Sequence, residues 1–189
     1  MKQTIRIIGG IFRGKKLHFP DLEGLRPTPD RVRETLFNWL MREIRDARCL
    51  DAFAGSGALG FEAYSRGAAK VVLIEQSPTA FTNLRAIATS FNSPKLQVIN
   101  GDACDYMRRT DEQFDIIFLD PPFAGNQIPE CVSFISQSNI LAPDGLLYLE
   151  SAQEVSLDSN VWETIKLKRA GQVTYGLYRK FSVKKHVSS

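Results

Sequence analysis

The sequence predicts an α/β fold in which a largely parallel sheet is covered by helices on both faces. From residue 48 onward, segments of strand character alternate with segments of helical character, which is typical of parallel sheets. A glycine-rich turn, Asp51 to Gly60, occupies the first junction between a strand and a helix. Acidic residues follow several of the strands, at the edge where ligands bind in such folds.

The strands of the main sheet are predicted from short apolar runs bounded by turn residues. Seven are expected: Cys49–Phe53, Lys70–Glu75, Lys95–Asn100, Phe114–Asp120, Gly145–Glu150, Thr164–Lys168 and Gln172–Phe181. The segment Arg169-Ala170-Gly171 predicts a hairpin between the last two, so that an antiparallel strand completes the sheet. Helices are expected over Ala58–Ser65, Pro78–Phe91, Ala103–Arg109 and Ile128–Gln137. Gly67 and Ser77-Pro78 are typical of a helix end and a helix start.

The first 48 residues follow a different pattern. Thr4–Ile8 and Lys15–Phe19 flank a glycine-containing turn and predict a hairpin, and Thr28-Pro29 predicts a helix start. An apolar stripe continues that helix through Val32, Leu36, Trp39, Leu40 and Ile44. We therefore expect three regions: a hairpin and loop over 1–27, a main domain over 28–182 and a basic tail over 183–189.

The charge distribution predicts a polyanionic partner. The 189 residues carry a net charge of only +3, but residues 1–48 carry +5, residues 49–165 carry −9 and residues 166–189 carry +7. Basic segments of this kind suit nucleic acid. For the tail, a basic segment without a partner is an equally good interpretation.

Other features of the composition exclude several classes of protein. No apolar run approaches the roughly 18 residues that a membrane span needs, and the N-terminus lacks a signal-peptide pattern. The three cysteines show no CxxC spacing, which predicts reduced thiols and neither disulfides nor a zinc site. We therefore expect a cytoplasmic protein without a metal.

The glycine-rich turn predicts a nucleotide-like cofactor. Gly55, Gly57 and Gly60 fit the pattern GxGxxG, in which glycines allow a tight turn and a close approach to a ligand. Glu75 ends the next strand, where an acid can accept hydrogen bonds from both ribose hydroxyls. These features fit a dinucleotide dehydrogenase equally well.

Two further acids favour S-adenosylmethionine over NAD. Asp51 immediately precedes the glycine turn, where its charge would oppose a pyrophosphate and favour a cationic amine. Asp102 follows the third strand and is placed to accept from an adenine amino group, although a helix N-cap is its simpler interpretation. With Glu75 and Asp120, these residues stand at four successive strand ends.

The tetrapeptide Asp120-Pro121-Pro122-Phe123 predicts a pocket for a flat amine. The Asp120 carboxylate and the Pro121 carbonyl can accept hydrogen bonds from an NH2 group. The Phe123 ring can stack on the ring that carries this amine. A proline-rich loop after a strand is the simpler alternative.

These motifs resemble those of class I S-adenosylmethionine-dependent methyltransferases, and Asp-Pro-Pro-Phe resembles the motif of members that methylate amino groups. The sequence as a whole resembles the RsmD family, bacterial 16S ribosomal RNA guanine-N2 methyltransferases, to about Phe181. The specific resemblance lies in the N-terminal stretch, in Arg6–Gly10, Arg13–Leu17 and Leu25–Leu40. Pro29 departs from the expected small hydroxyl residue.

The resemblance implies a fold with the seven-stranded methyltransferase sheet and an N-terminal hairpin. It also implies an enzyme that methylates the N2 amine of a guanine in 16S rRNA, within a small ribosomal subunit particle. A monomer is expected. Two alternatives stay open: an amino methyltransferase acting on adenine N6 or a protein amide, and a non-catalytic RNA-binding protein. The expected cofactor residues are Asp51, Phe53, Gly55, Gly57, Glu75, Asp102 and Ala103. The expected RNA contacts are Arg6, Arg13, Lys15, Lys16, Arg26, Thr28 and Arg31.

Overall fold

The computed structural model describes residues 2–122 and 126–182. A two-stranded hairpin, β1 (Lys2–Arg6) and β2 (Lys16–Pro20), precedes a seven-stranded sheet. The strands of this sheet are β3 (Arg48–Asp51), β4 (Lys70–Glu75), β5 (Leu96–Asn100), β6 (Phe114–Leu119), β7 (Leu141–Ser151), β8 (Trp162–Ala170) and β9 (Val173–Lys180). The helices are α1 (Asp30–Trp39), α2 (Ala58–Ser65), α3 (Pro78–Ser90), α4 (Ala103–Arg109) and α5 (Ile128–Gln137).

The main sheet has the strand order β5-β4-β3-β6-β7-β9-β8. The first five strands in this order pair in parallel, and β9 pairs antiparallel with both β7 and β8. The predicted fold class, a mixed seven-stranded class I methyltransferase-like sheet with an antiparallel last strand, is therefore confirmed.

The core lies on both faces of the sheet because successive strand residues point to opposite sides. Cys49 of β3 packs in the cluster that contains Leu36 of α1 and Phe61 of α2. Its neighbour Leu50 packs in the opposite cluster, with Met107 of α4 and Cys131 of α5. Because both faces of the sheet are buried, a central strand such as β6 is apolar at nearly every position.

Most strand boundaries differ from the sequence prediction by one to two residues, and two differences, in β7 and α1, are larger or change the packing. Strand β7 begins at Leu141, four residues earlier than expected, because Leu141 pairs with Phe114 before the register shifts at a bulge. Asp144 within this bulge has φ +59°. Helix α1 ends at Trp39, so Ile44 lies beyond it, although its side chain is buried as the apolar stripe predicts.

The N-terminal hairpin packs against the rest of the protein through its inward side chains. Ile5, Leu17 and Phe19 are buried in the same cluster as Phe61 of α2. The turn between the two strands of the hairpin is fixed to α2, since Ile11 N donates to the Ser65 carbonyl (2.9 Å). The division of the chain at residue 27 stays a prediction, and the tail 183–189 lies outside the described residues.

Within residues 2–122 and 126–182, no helix is both long and apolar enough to span a bilayer. The same part of the chain contains no group of three or more His, Cys, Asp or Glu side chains arranged to hold a metal ion. All three cysteines are free and buried.

Candidate active site

Acidic side chains line the carboxyl edge of the sheet. Asp51 and Glu75 are the last residues of β3 and β4, and Asp120 directly follows β6. Asp102 lies two residues beyond β5, and Glu150 is the penultimate residue of β7. Because these strands are neighbours in the order β5-β4-β3-β6-β7 and run in parallel, the five carboxylates form a row.

The glycine turn between β3 and α2 has the geometry that its sequence predicts. Gly57 has φ +84°, and a Cβ atom built on it would lie 2.3 Å from the Phe61 ring. A Cβ atom on Gly60 would lie 2.7 Å from Leu73 of β4, so this glycine allows close packing of α2 on the sheet. The backbone conformation therefore requires glycine at position 57, and close packing favours it at position 60.

Glu75 is fixed by the backbone around it. Its Oε2 accepts a hydrogen bond from Gly55 N (2.8 Å) and its Oε1 accepts one from Ser77 N (2.8 Å). The carboxylate is half-buried, and each of its oxygens keeps acceptor capacity after one backbone bond. Glu75 is thus held in a fixed orientation with acceptor capacity on both oxygens.

Asp51 lies deeper than Glu75. It is 1% exposed, and its Oδ2 accepts a hydrogen bond from Gly60 N (2.9 Å). Burial raises the pKa of Asp51 to about 7, and the nearby charge of Glu75 adds to the increase, while the bond from Gly60 opposes it. The charge of this carboxylate therefore changes near neutral pH.

Asp102 is the N-cap of α4, as its simpler interpretation predicts, because it accepts a hydrogen bond from Asp105 N (3.0 Å). Its neighbour Ala103 is buried, and Phe53 in the glycine turn is half-buried against the same apolar cluster. A Cβ atom added to Gly101 would meet nothing within 4 Å, so the edge beside Asp102 is open.

The residues along this edge fit S-adenosylmethionine. The carboxylate of Glu75 is suited to ribose hydroxyls, Asp51 to a cationic amine and Asp102 to the adenine amino group. The open space at Gly101 leaves room for a ligand beside Asp102. When bound, this cofactor supplies an electrophilic methyl group.

Asp120 belongs to a buried hydrogen-bond network that also contains Thr28, Glu150 and Tyr148. The Thr28 hydroxyl lies 3.1 Å from Asp120 Oδ2 and 3.0 Å from Glu150 Oε2. The Tyr148 hydroxyl donates to the same Glu150 oxygen (2.9 Å). Burial and the proximity of Glu150 raise the pKa of Asp120 well above its usual range, and burial also raises the pKa of Glu150.

The residues after Asp120 form the rest of the predicted amine pocket. Pro121 is buried and Pro122 is exposed. Neither proline has an N–H, so this part of the loop offers hydrogen-bond acceptors and no backbone donors. Phe123 lies outside the described residues, and its role stays a prediction.

Most of the side chains expected to contact RNA lie on the surface. Arg6, Arg13, Lys16, Arg26 and Arg31 are exposed. Lys15 is half-exposed with its Nζ 4.2 Å from the centre of the Phe91 ring. Thr28 is different, since it is 5% exposed and its hydroxyl is engaged with Asp120 and Glu150.

Sequence reasoning missed Glu150 and Tyr148 as members of the site. Glu150 carries the same signal as the other acids, since it stands near the carboxyl end of an apolar strand. Tyr148 lies two residues earlier on the same face of β7, but an aromatic residue in a buried strand is typical of a core.

The comparison with known protein families agrees with this geometry. The model of the family described as "Conserved hypothetical protein 95" matches residues 5–179. The chain belongs to this family. Proteins named "Ribosomal RNA small subunit methyltransferase D" are 43% identical in Haemophilus influenzae, over 94% of this chain and 95% of the relative, and 44% identical in Escherichia coli K12, over 93% and 90%.

Solved structures show the same relationship. The structure of yhhF from Escherichia coli is similar with a TM-score of 0.87 and 43% identity, over 95% of this chain and 99% of that one. A structure from Haemophilus influenzae is similar with a TM-score of 0.81 and 38% identity, over 95% of this chain and 100% of that one. The resemblance to the RsmD family and the prediction of a methyltransferase that uses S-adenosylmethionine are confirmed.

Proposed function

We propose that this methyltransferase transfers a methyl group from S-adenosylmethionine to the exocyclic N2 amine of one guanine in 16S rRNA of a small ribosomal subunit particle. Relatives named as small-subunit rRNA methyltransferases support the rRNA substrate. A Bacillus subtilis relative, 30% identical, carries the name "Putative rRNA methyltransferase YlbH". The choice of the guanine N2 amine follows from the resemblance to the RsmD family, and the chemistry of the Asp120 loop supports an exocyclic amine as the acceptor.

The single observation that carries the proposal is the placement of Asp120 beside the cofactor edge. Asp120 follows β6, directly next to β3, whose last residue is Asp51. The carboxylate and the Pro121 carbonyl are both acceptors, and the two prolines offer no competing N–H. An NH2 group has two hydrogens to donate, so it matches this pair of acceptors.

The chain's contribution to the reaction is chiefly orientation. The lone pair of a guanine N2 is conjugated into the ring, which makes the nitrogen a weak nucleophile. Hydrogen bonds from the amine to Asp120 and to the Pro121 carbonyl would hold the nitrogen toward the edge lined by Asp51 and Glu75. Correct alignment of reacting atoms is worth many orders of magnitude in rate. Asp120 also accepts the proton that the nitrogen loses.

The hairpin supplies the proposed RNA contact. Arg6 of β1 and Lys16 of β2 are directly opposite partners in the ladder, and both are exposed. Like charges opposite each other destabilise a hairpin, so this pair favours an anion bound between or above them. Arg13 adds a third exposed charge in the turn between the strands. RNA phosphates fit this surface.

The test is methyl transfer from labelled S-adenosylmethionine to small subunits or their assembly intermediates from cells that lack this enzyme. Naked rRNA and DNA are the comparison substrates. Digestion of the product to nucleosides should give N2-methylguanosine as the labelled species. Label on N6-methyladenosine or on protein would contradict the proposal and favour an amino methyltransferase with another target. Intact cofactor binding without any methyl transfer would favour a non-catalytic RNA-binding protein.

A further inference from the structure

The contacts of Thr28 constrain the number of protons in the buried network. Its hydroxyl carries one hydrogen but lies within hydrogen-bond distance of two carboxyl groups, Asp120 Oδ2 at 3.1 Å and Glu150 Oε2 at 3.0 Å. If both carboxyls were ionised, one of these contacts would join two oxygens with no hydrogen between them. A single proton on one carboxyl removes the conflict, since that carboxyl donates to Thr28 and Thr28 donates to the other.

We propose that Asp120 and Glu150 share one proton through the Thr28 hydroxyl, and that Glu150 is a positioning residue that takes this proton when an amine donor binds Asp120. The proposal rests on the assignment of Asp120 to the target amine. Glu150 acts through Thr28 and touches neither substrate nor cofactor.

The surroundings of the pair favour a shared proton. Glu150 is 3% exposed, while Asp120 is half-buried, so two negative charges here would lie side by side with little solvation. Asp51 from the adjacent strand β3 adds a third acid near Asp120. Both members of the pair have raised pKa values, caused first by burial.

The remaining titratable neighbours are tyrosines. Tyr148 donates to Glu150 Oε2 (2.9 Å), and its own pKa is raised well above the usual range by burial and by the charges of Glu150 and Asp120. Tyr175 of β9 is the ladder partner of Glu150 and is a minor contributor to the same increase. Tyr148 therefore stays protonated and donates to Glu150 whether Glu150 is charged or neutral.

The shared proton gives the site a defined sequence of protonation states. Without substrate, the proton resides on either carboxyl. When an amine donates to Asp120, the ionised form of Asp120 is favoured, and the proton passes through Thr28 Oγ1 to Glu150. The N–H bond of the methylated nitrogen then breaks, an O–H bond forms on Asp120, and the pair holds two protons. Asp120, the more exposed of the two, returns one proton to solvent.

The primary experiment follows the carboxyl carbons of Asp120 and Glu150 by ¹³C NMR in the cofactor-free protein, over about pH 5 to 9. Sharing predicts that both carbons titrate in two steps with the same two midpoints, because the steps belong to the pair. Independent single steps, each with its own midpoint, would overturn the proposal. This readout needs no substrate, so it stands even if the methyl acceptor is a different amine.

Two variants test the parts of the network. Glu150→Gln keeps the shape and mimics a protonated Glu150, so Asp120 should titrate in one step close to the lower of the two wild-type midpoints. If Glu150 were permanently ionised, Asp120 would titrate in one step in the wild type, and Glu150→Gln would lower the midpoint of that step. Glu163→Gln, an exposed residue of β8, is the matched control and should leave both titrations unchanged.

Thr28→Val removes the hydroxyl at nearly constant volume, and Thr28→Ser restores it. The valine variant should lower the single-turnover rate about 10-fold or more with unchanged affinity for RNA and for the demethylated cofactor, and serine should recover most of the rate. A valine variant as fast as the wild type would show that the hydroxyl carries no proton and would overturn the relay. Melting temperatures confirm that each variant is folded.

Discussion

Arg33 and Glu62 form an ion pair that is almost completely removed from solvent, with Arg33 Nη1 3.3 Å from Glu62 Oε2. The two oxygens of Glu62 also accept hydrogen bonds from Ile8 N and Gly9 N (2.9 Å each). Arg33 in turn donates to the Arg6 carbonyl (3.1 Å). The pair therefore joins α1, α2 and the end of the hairpin that we assign to RNA.

The first prediction concerns the stability that this pair confers. Glu62→Ala removes the acceptor of Arg33 Nη1, of Arg66 Nε and of two backbone amides, and the loss of one partner of a buried ion pair costs roughly 3–5 kcal/mol. Urea unfolding measures the free energy of unfolding. Glu34→Ala, an exposed acid on the same helix as Arg33, should change it by no more than about 0.5 kcal/mol. Equal effects of the two changes would refute the anchoring role of Glu62.

The second prediction concerns cofactor recognition by Glu75. Glu75→Ala should weaken binding of S-adenosylmethionine by about 1–3 kcal/mol, because a carboxylate that binds hydroxyls is lost. Calorimetry with the cofactor and with its demethylated product gives the affinity. Thermal melting measures the stability lost with the two hydrogen bonds that Glu75 accepts from the backbone. Unchanged affinity, or tight binding of NAD without response to the methyl donor, would contradict the assignment.

The third prediction is a pH dependence of cofactor binding that arises from Asp51. Burial raises the pKa of Asp51 to about 7, and a cationic amine binds better to the ionised carboxylate. Binding should therefore release a proton, and affinity should fall as the pH drops below 7, toward about tenfold per pH unit. Calorimetry in two buffers of different ionisation enthalpy measures the released protons.

The control for this effect is a pair of Asn variants. Asp51→Asn should remove most of the pH dependence, whereas Asp111→Asn, an exposed residue between α4 and β6, should retain it. This comparison is needed because Asp120 and Glu150 also have raised pKa values. A pH dependence that persists in Asp51→Asn would assign it to those residues instead.

Local signals in the sequence predicted most of the fold and much of the site. The parallel strands and the acids at their ends follow from apolar runs and the residues that terminate them, because neighbouring parallel strands bring their ends to one edge. The bulge in β7 was not predicted, since Pro143-Asp144-Gly145 has the composition of a turn between elements.

Interactions between distant parts of the chain were not predictable. Thr28 and Glu150 are 122 positions apart, and nothing near either residue indicates that their side chains meet. Arg33 and Glu62 are charged residues on helices, and charged residues on helices are usually solvated, so their burial follows only from the packing of α1 on α2. Both cases depend on tertiary structure rather than on local pattern.

The fourth prediction concerns Asp120. Asp120→Ala should lower the rate of methyl transfer by a factor of about 10² to 10⁴. The amine loses the hydrogen-bond acceptor that orients it and the base that takes its proton. Affinity for S-adenosylmethionine should stay nearly unchanged, since the cofactor is assigned to the edge formed by Glu75, Asp51 and Asp102. Single-turnover rates and calorimetry separate the two quantities. A variant with near-normal rate would refute the role of Asp120.

The fifth prediction tests the hairpin as the RNA surface. Arg6→Ala, Arg13→Ala and Lys16→Ala should each weaken RNA binding, because each removes an exposed charge assigned to phosphate. Each change should also flatten the slope of log affinity against log salt by roughly 0.7–0.9, the share of one phosphate contact. Binding of the variants to rRNA across a salt series measures both effects.

Lys95 provides the matched control for this series. It is exposed and directly precedes β5, at the amino end of the parallel sheet and opposite the edge that carries the acids. Lys95→Ala removes the same charge from a surface with no assigned contact, so its salt slope should equal that of the wild type. If the hairpin variants behave like Lys95→Ala, the RNA surface lies elsewhere. The next segment to test is then the basic edge strand β8, with Lys166, Lys168 and Arg169.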